Sequence, residues 1–222
     1  MKRREFITLL GGVTAALPLT ARAQQSAMPI IGFLQAGSPG PSAAYISVFH
    51  QVLAEAGYVE NQNVRIEYRY ADGQYDRLPE LAADLVRRQV AVIVVTPNTS
   101  AARAVEAATS TIPIVFMVTD DPVKLGLVAS LNRPGGNATG VNSFFSELGA
   151  KRLGLLRELL PAAARVGALV NPNEATTETF IKDLTAAASA IGVQSEVAQA
   201  RDSREIDAAF ATLVRNKADG LM

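Results

Sequence analysis

Residues 57–95 read GYVENQNVRIEYRYADGQYDRLPELAADLVRRQVAVIVV, and this stretch decides the fold class. Val64, Ile66, Tyr68 and Tyr70 alternate with polar neighbours, the period of a strand with one covered face. After the turn residues Ala71-Asp72-Gly73, Leu78, Leu81 and Leu85 recur at helical spacing, and Arg87-Arg88 complement the carboxyl end of that helix as a solvated pair. Ala91 to Val95 is then an unbroken apolar run rich in β-branched residues, which predicts a strand covered on both faces. Strand, helix and strand in close succession make a crossover unit, whose two strands lie parallel.

The same alternation extends in both directions. Upstream, MPIIGFLQAG (28–37) predicts a strand that ends in the small-residue turn Ala36 to Pro41. Ser42 is placed to cap a helix carrying Tyr45, Phe49, Val52, Leu53 and Ala56, with Gly57 as its stop. Downstream, the pattern predicts a helix over 100–108 and strands over 112–118 and 138–141. A helix over 147–160, stopped by Pro161, leads to a strand over 166–170, a helix over 176–191, a strand over 193–197 and a helix over 204–216. The second series echoes the first: LVRNKADGLM from Leu213 aligns with LVRRQVAVIV from Leu85, Gly192 with Gly57, and Phe180 with Phe49. The expected fold class is α/β, with two doubly wound parallel-sheet lobes at 24–143 and 144–222. Because ADGLM falls on the opening of the strand VAVIVV, the second lobe is expected to be incomplete and the chain a piece of a longer product. A bare sheet edge there would weaken ligand binding and favour aggregation.

The first 23 residues differ in kind. Lys2, Arg3 and Arg4 precede the largely uncharged run Phe6 to Leu19, and Ala21-Arg22-Ala23 is a small-x-small site. A spanning helix needs about 20 apolar residues, and this run contains Gly11-Gly12 and ends at Pro18. The segment therefore reads as an export signal cleaved after Ala23. Arg3-Arg4 with Phe6 also resembles a twin-arginine signal, although Lys2 stands where that pattern has Ser or Thr. The chain has no cysteine, which excludes disulfides, thiolate nucleophiles and a lipid anchor on cysteine. Its 21 basic and 21 acidic residues cancel, with no basic run to follow a phosphate backbone, so nucleic acid is excluded as a partner. A single histidine and no cysteine also leave little for a metal site, and no cofactor is expected.

Five stretches carry a resemblance to a known family: RREFITLLGG, GFLQAGSPGP, the 57–95 segment, STIPIVFMVTDDPVKLGLVASLNRPGGNATGV and LGAKRLGLLRELLP. Together they resemble the exported substrate-binding proteins of ABC transporters, in the branch with the type I periplasmic fold that is similar to tryptophan and tyrosine binders. The resemblance covers nearly the whole chain. It implies a small ligand held between two lobes that close about hinges, a periplasmic location and an ABC permease of the inner membrane as partner.

In parallel sheets, ligand groups lie beyond the carboxyl ends of the strands. Gln35 and Ser38 follow the first strand as candidate donors. Thr96, Asn98 and Thr99 follow VIVV, where a helix opens and offers amide N–H groups to a carboxylate. Asp120 and Asp121 follow IVFMV and would present a carboxylate to an ammonium. Asn142 follows ATGV, with Phe144 or Phe145 as a stacking ring. Across the cleft, Asn171 opens the loop Asn171-Pro172-Asn173-Glu174.

Each has a structural alternative. Thr99 and Ser100, taken alone, read as helix caps ahead of ligand contacts, Asp120-Asp121 as turn formers before Pro122, and the two phenylalanines as core or lobe-interface packing. Tyr68 and Tyr70 read as sheet-face packing and His50 as a partly exposed bystander. Two other functions remain on these residues: a periplasmic sensor of the same fold, and a hydrolase working through Asp120 and Asp121. Neither G-x-G-x-x-G after the first strand nor G-x-S-x-G occurs.

Overall fold

The computed structural model describes residues 28–222; the export signal and its cleavage site after Ala23 lie outside the described residues. The first sheet has five strands, β1 (Ile30–Gln35), β2 (Arg65–Tyr70), β3 (Val92–Val95), β4 (Ile114–Val118) and β5 (Ala138–Asn142), in the order β2-β1-β3-β4-β5. Every neighbouring pair is parallel. Helix α1 (Pro39–Glu55) covers one face of β1 and β2, where Ile46, Phe49 and Leu53 pack on Ile31, Phe33, Val64 and Ile66. Helices α2 (Leu78–Arg87) and α3 (Thr99–Ala108) cover the other face through Leu78, Leu85, Ala101 and Val105 against Ile93, Val95 and Ile114.

Two features differ from the sequence reading. Helix α1 begins at Pro39, and Ser42 lies inside it, buried and bonded to the Ser38 carbonyl at 3.2 Å. Prolines 39 and 41 account for this, since a first helical turn needs no donor from them and their φ is already helical. Its inward stripe is Ile46, Phe49 and Leu53, while Tyr45 and Val52 face solvent. Strand β3 is fully buried only on the α2/α3 side; Val92 and Val94 are half-buried because α1 reaches only its margin. One strand farther, Val115 and Met117 of β4 are each 42% exposed.

The second sheet, β6 (Arg165–Val170), β7 (Gln194–Gln199) and β8 (Gly220–Leu221), is also parallel, in the order β7-β6-β8. This is the order of β2-β1-β3. Helices α4 (Gly149–Leu159), α5 (Thr177–Ala190) and α6 (Ser203–Arg215) surround it, with Leu153, Leu184 and Ala188 packed against Val166, Ala168 and Val193. The internal likeness extends to backbone detail. Gly57 and Gly192 close their helices at φ 86° and 70°, and Gln89 and Lys217 turn at φ 53° and 57°. Leu184, not Phe180, stands as far before Gly192 as Phe49 stands before Gly57.

Both lobes lock a helix to the middle strand by the same device. A Cβ on Gly32 would lie 3.1 Å from both Leu85 methyl carbons, and one on Gly167 would lie 3.1 Å from both of Leu213's. The leucine fills the place a side chain would take. Leu85→Ala is therefore expected to destabilise the chain by about 3 kcal/mol through lost burial and an unfilled cavity, read as a lower midpoint in urea unfolding.

An ionic cluster ties α2 to β2. Arg69 Nε donates to Asp84 at 2.8 Å and Arg88 Nε to the same oxygen at 2.9 Å, while Arg69 also reaches Glu67 at 3.0 Å. These guanidinium bonds hold the Asp84 carboxyl down at about 2. A lowered carboxylate stabilises the fold above its ordinary range and loses that contribution as pH falls through the folded value. The wild-type melting temperature should thus fall faster between about pH 4 and about pH 2 than that of Asp84→Asn; parallel curves would contradict it.

Candidate functional site

The carboxyl ends of the parallel strands meet at one junction. From the first lobe come the segments after β1, β3 and β4; from the second comes Asn171 to Thr176, after β6. The loop after β3 is ordered by Asn98, which occupies the N-cap of α3 and accepts from Ala101 N at 2.7 Å. Asn98 is thus the cap, and Thr99 and Ser100 are free to face the other lobe.

They do so through Glu174. Its carboxylate accepts from Asn98 Nδ2 at 2.8 Å and from the Thr99 backbone N–H at 3.1 Å. The Ser100 backbone N–H and the Tyr75 hydroxyl also donate to it. Ser100 Oγ accepts from Ala175 N at 3.0 Å, and Asn171 Nδ2 donates to the Tyr75 oxygen at 3.3 Å. The amino end of α3, where the sequence reading expects a ligand carboxylate, holds a protein carboxylate from the opposite lobe. Burial pushes the Glu174 carboxyl up, and the bonds from its donors offset only part of that. Burial and the facing Glu174 charge push the Tyr75 hydroxyl up to about 12, so it stays a donor.

Asp120 sits beside this contact and is only 7% exposed. It accepts from Thr99 Oγ1 at 2.6 Å, Thr119 Oγ1 at 3.2 Å and, across the lobes, Thr176 Oγ1 at 3.4 Å. Asp121 instead sets the turn, accepting from Val123 N at 2.8 Å.

Two cavities flank the junction. One, of about 230 Å³, lies at the ends of β1 and β3 among Gln35, Thr96, Asn98, Phe33, Tyr45 and Tyr75. Gln35 bonds Ser42 through its amide nitrogen, leaving Oε1 buried without a protein partner. A buried acceptor left open costs free energy that an incoming N–H or O–H recovers. The other cavity, of about 220 Å³, lies between the lobes, with Asp120, Asp121 and Leu125 on one side and Thr176, Phe180 and Asp183 on the other.

The sequence candidates distribute unevenly over this geometry. Gln35, Thr96 and Asn98 share the first cavity, Asp120 and Asp121 the second, and Thr99 and Asn171 lie on the contact between lobes. Ser38 stands before α1 with no side-chain bond to the helix and lines neither cavity. Asn142 ends β5 with its Nδ2 buried and unpartnered. Phe144 adopts a left-handed backbone, φ 48°, and its neighbour Phe145, 53% exposed, lies under the Arg152 guanidinium at 4.1 Å. Glu174, Tyr75 and Ser100 are absent from the candidate set. Glu174 lies in the loop equivalent to the one after β1, which was the signal available. His50 is no bystander: its Nε2 is 2.5 Å from the Tyr68 oxygen and its Nδ1 3.5 Å from Glu60.

A family model described as ABC transporter substrate binding protein matches residues 39–222. A tyrosine-binding protein of Clostridioides difficile (strain R20291) is 29% identical over 168 residues, covering 75% of this chain and 47% of its own length. A conserved domain protein of Vibrio cholerae O1 biovar El Tor superposes with TM-score 0.74 at 29% identity. An ABC domain in complex with L-Trp from Streptococcus pneumoniae superposes with TM-score 0.68 at 28% identity. Both superpositions cover 87% of this chain and 64% of the other. The chain thus spans about half the length of the curated relative it matches.

Proposed function

This chain belongs to the family of ABC transporter substrate binding proteins, and from that we propose that it captures a small amino-acid-like or carboxylate solute in the cleft between its two lobes. The observation that carries the reading is the polar contact between Asn98, Thr99 and Tyr75 of one lobe and Asn171 and Glu174 of the other, at the carboxyl ends of parallel strands. The likeness to a tyrosine-binding protein and to a domain holding L-Trp supports an amino-acid solute. Matched family and relatives are binding proteins, which favours capture over catalysis.

On this reading residues 1–23 direct export and are removed after Ala23. The lobes, 24–143 and 144–222, close on the solute in the periplasm and present it to an ABC permease of the inner membrane. Among the described residues, no helix is long and apolar enough to cross a membrane. Gln35, Thr96, Asn98, Thr99, Asp120 and Asn171 are the residues proposed to touch the solute, with Asp120 facing its ammonium.

Titration of the full chain with L-tyrosine and L-tryptophan tests this. Ligand at a hundred times its Kd adds about 2.7 kcal/mol to stability, and at about 2–4 °C per kcal/mol for a chain of this size the melting temperature should rise by about 5 °C or more. No shift with these or any other amino acid or small organic acid would overturn the proposal.

A further inference from the structure

We propose that Glu174 holds the two lobes together when the cleft is empty, by supplying from the second lobe the carboxylate that the amino end of α3 receives on the first. The inference rests on the two-lobed reading above but needs no solute, so its failure leaves solute capture untouched.

Three observations carry it. The first is position: Glu174 stands at the amino end of a ten-residue helix, where unpaired N–H groups and the helix dipole favour an anion. The second is the completeness of its coordination. Asn98, Thr99, Ser100 and Tyr75, the groups that donate to it, all belong to the opposite lobe. Asn98 serves both ends of this arrangement, capping α3 through Oδ1 and reaching Glu174 through Nδ2. The third is desolvation. A buried carboxylate is unfavourable unless it is bonded, and every donor that offsets the cost here is lost when the lobes part. Moving Glu174 away therefore takes from the Thr99 N–H at the α3 amino end the carboxylate it bonds here, and leaves the Asn98 amide with the Tyr75 oxygen alone. The flanking contacts are weaker: Ala175 N donates to the neutral Ser100 Oγ at 3.0 Å, and Thr176 Oγ1 reaches the Asp120 carboxylate only at 3.4 Å, longer than either bond of Asn98 or Thr99 to Glu174.

The chain contains no cysteine, so Gln62→Cys and Lys182→Cys, both at exposed positions, one on each lobe, create unique spin-label sites. Pulsed electron-spin distances in the solute-free full chain should show one short population. Glu174→Ala should lose most of it to longer distances, and Glu174→Gln, which keeps a hydrogen-bonding oxygen without the charge, should fall between. Far-UV circular dichroism of each variant checks that it is folded. If Glu174→Ala does not fold, the parent titrated with sodium acetate against sodium chloride at equal ionic strength carries the test. Acetate, a free carboxylate, should deplete the short population and chloride should not. An alanine variant with the parent's distances, or acetate and chloride acting alike, overturns the proposal.

Discussion

Replacing Gly140 by alanine is expected to lower the melting temperature by about 10 °C, at about 2–4 °C per kcal/mol for a chain of this size. Gly140 pairs with Phe116 between β5 and β4, and a Cβ there would lie 2.0 Å from the Phe116 carbonyl oxygen and 2.6 Å from its ring. Overpacking ordinarily costs about 1–3 kcal/mol, and more where the obstructing atom is backbone and cannot turn aside. Relief requires β5 to move off β4. That strand ends at Asn142, where the chain leaves the first sheet for the second lobe. The variant should therefore lose solute affinity along with stability. Thr139→Ala, at the exposed neighbouring position, is the control, and thermal unfolding followed by circular dichroism is the measurement. A Gly140→Ala melt within a degree or two of wild type would show that β5 yields freely.

Asp120→Ala should separate two roles of one carboxylate. Removing it strands the hydroxyls of Thr99, Thr119 and Thr176, of which Thr99 is fully buried. A buried donor left open costs about 1–3 kcal/mol, so unfolding should occur at lower denaturant. Asp120→Asn keeps an acceptor for these hydroxyls and should recover most of that stability. It removes the charge, however, so affinity for an ammonium-bearing solute such as L-tyrosine should remain at least about tenfold weaker, about 1.4 kcal/mol. Calorimetric titration of the two variants decides the matter: wild-type affinity in Asp120→Asn would reduce Asp120 to a structural bridge between Thr99 and Thr176.

The parallel fold was legible because its signals are local. Alternation at Val64 to Tyr70, the stripe of Leu78 and Leu85 and the unbroken run at Ala91 to Val95 each specify an element without reference to distant residues. The repeat of LVRRQ in LVRNK announced a second sheet with the strand order of the first. Errors arose where two local signals competed. Ser42 looked like a cap, but Pro39 and Pro41 start the helix earlier; Thr99 and Ser100 looked like caps, but Asn98 holds that place.

The candidate site was legible as a set of loops and not as a set of contacts. Strand-end positions follow from topology, so Gln35, Thr96 and Asp120 could be named in advance. The bonds of Asn98 and Thr99 to Glu174 join residues 76 and 75 positions apart, and no local pattern marks such a pair. Nor does periodicity reveal that His50, on α1, meets Tyr68 on β2.

Gly32 under Leu85 and Gly167 under Leu213 place the same limit on substitution at matched positions of the two wings of the molecule. A methyl group at either glycine asks the leucine above it to give by a few tenths of an ångström, a larger side chain has to dislodge it, and trimming either leucine uncovers the strand beneath. A saturation screen of the wing around β1 therefore forecasts which replacements the wing around β6 tolerates, residue for matched residue. Disagreement between the two screens would then mark the positions where each wing has acquired a task of its own, and Glu174, with no acidic counterpart in the turn after β1, is the first place to look.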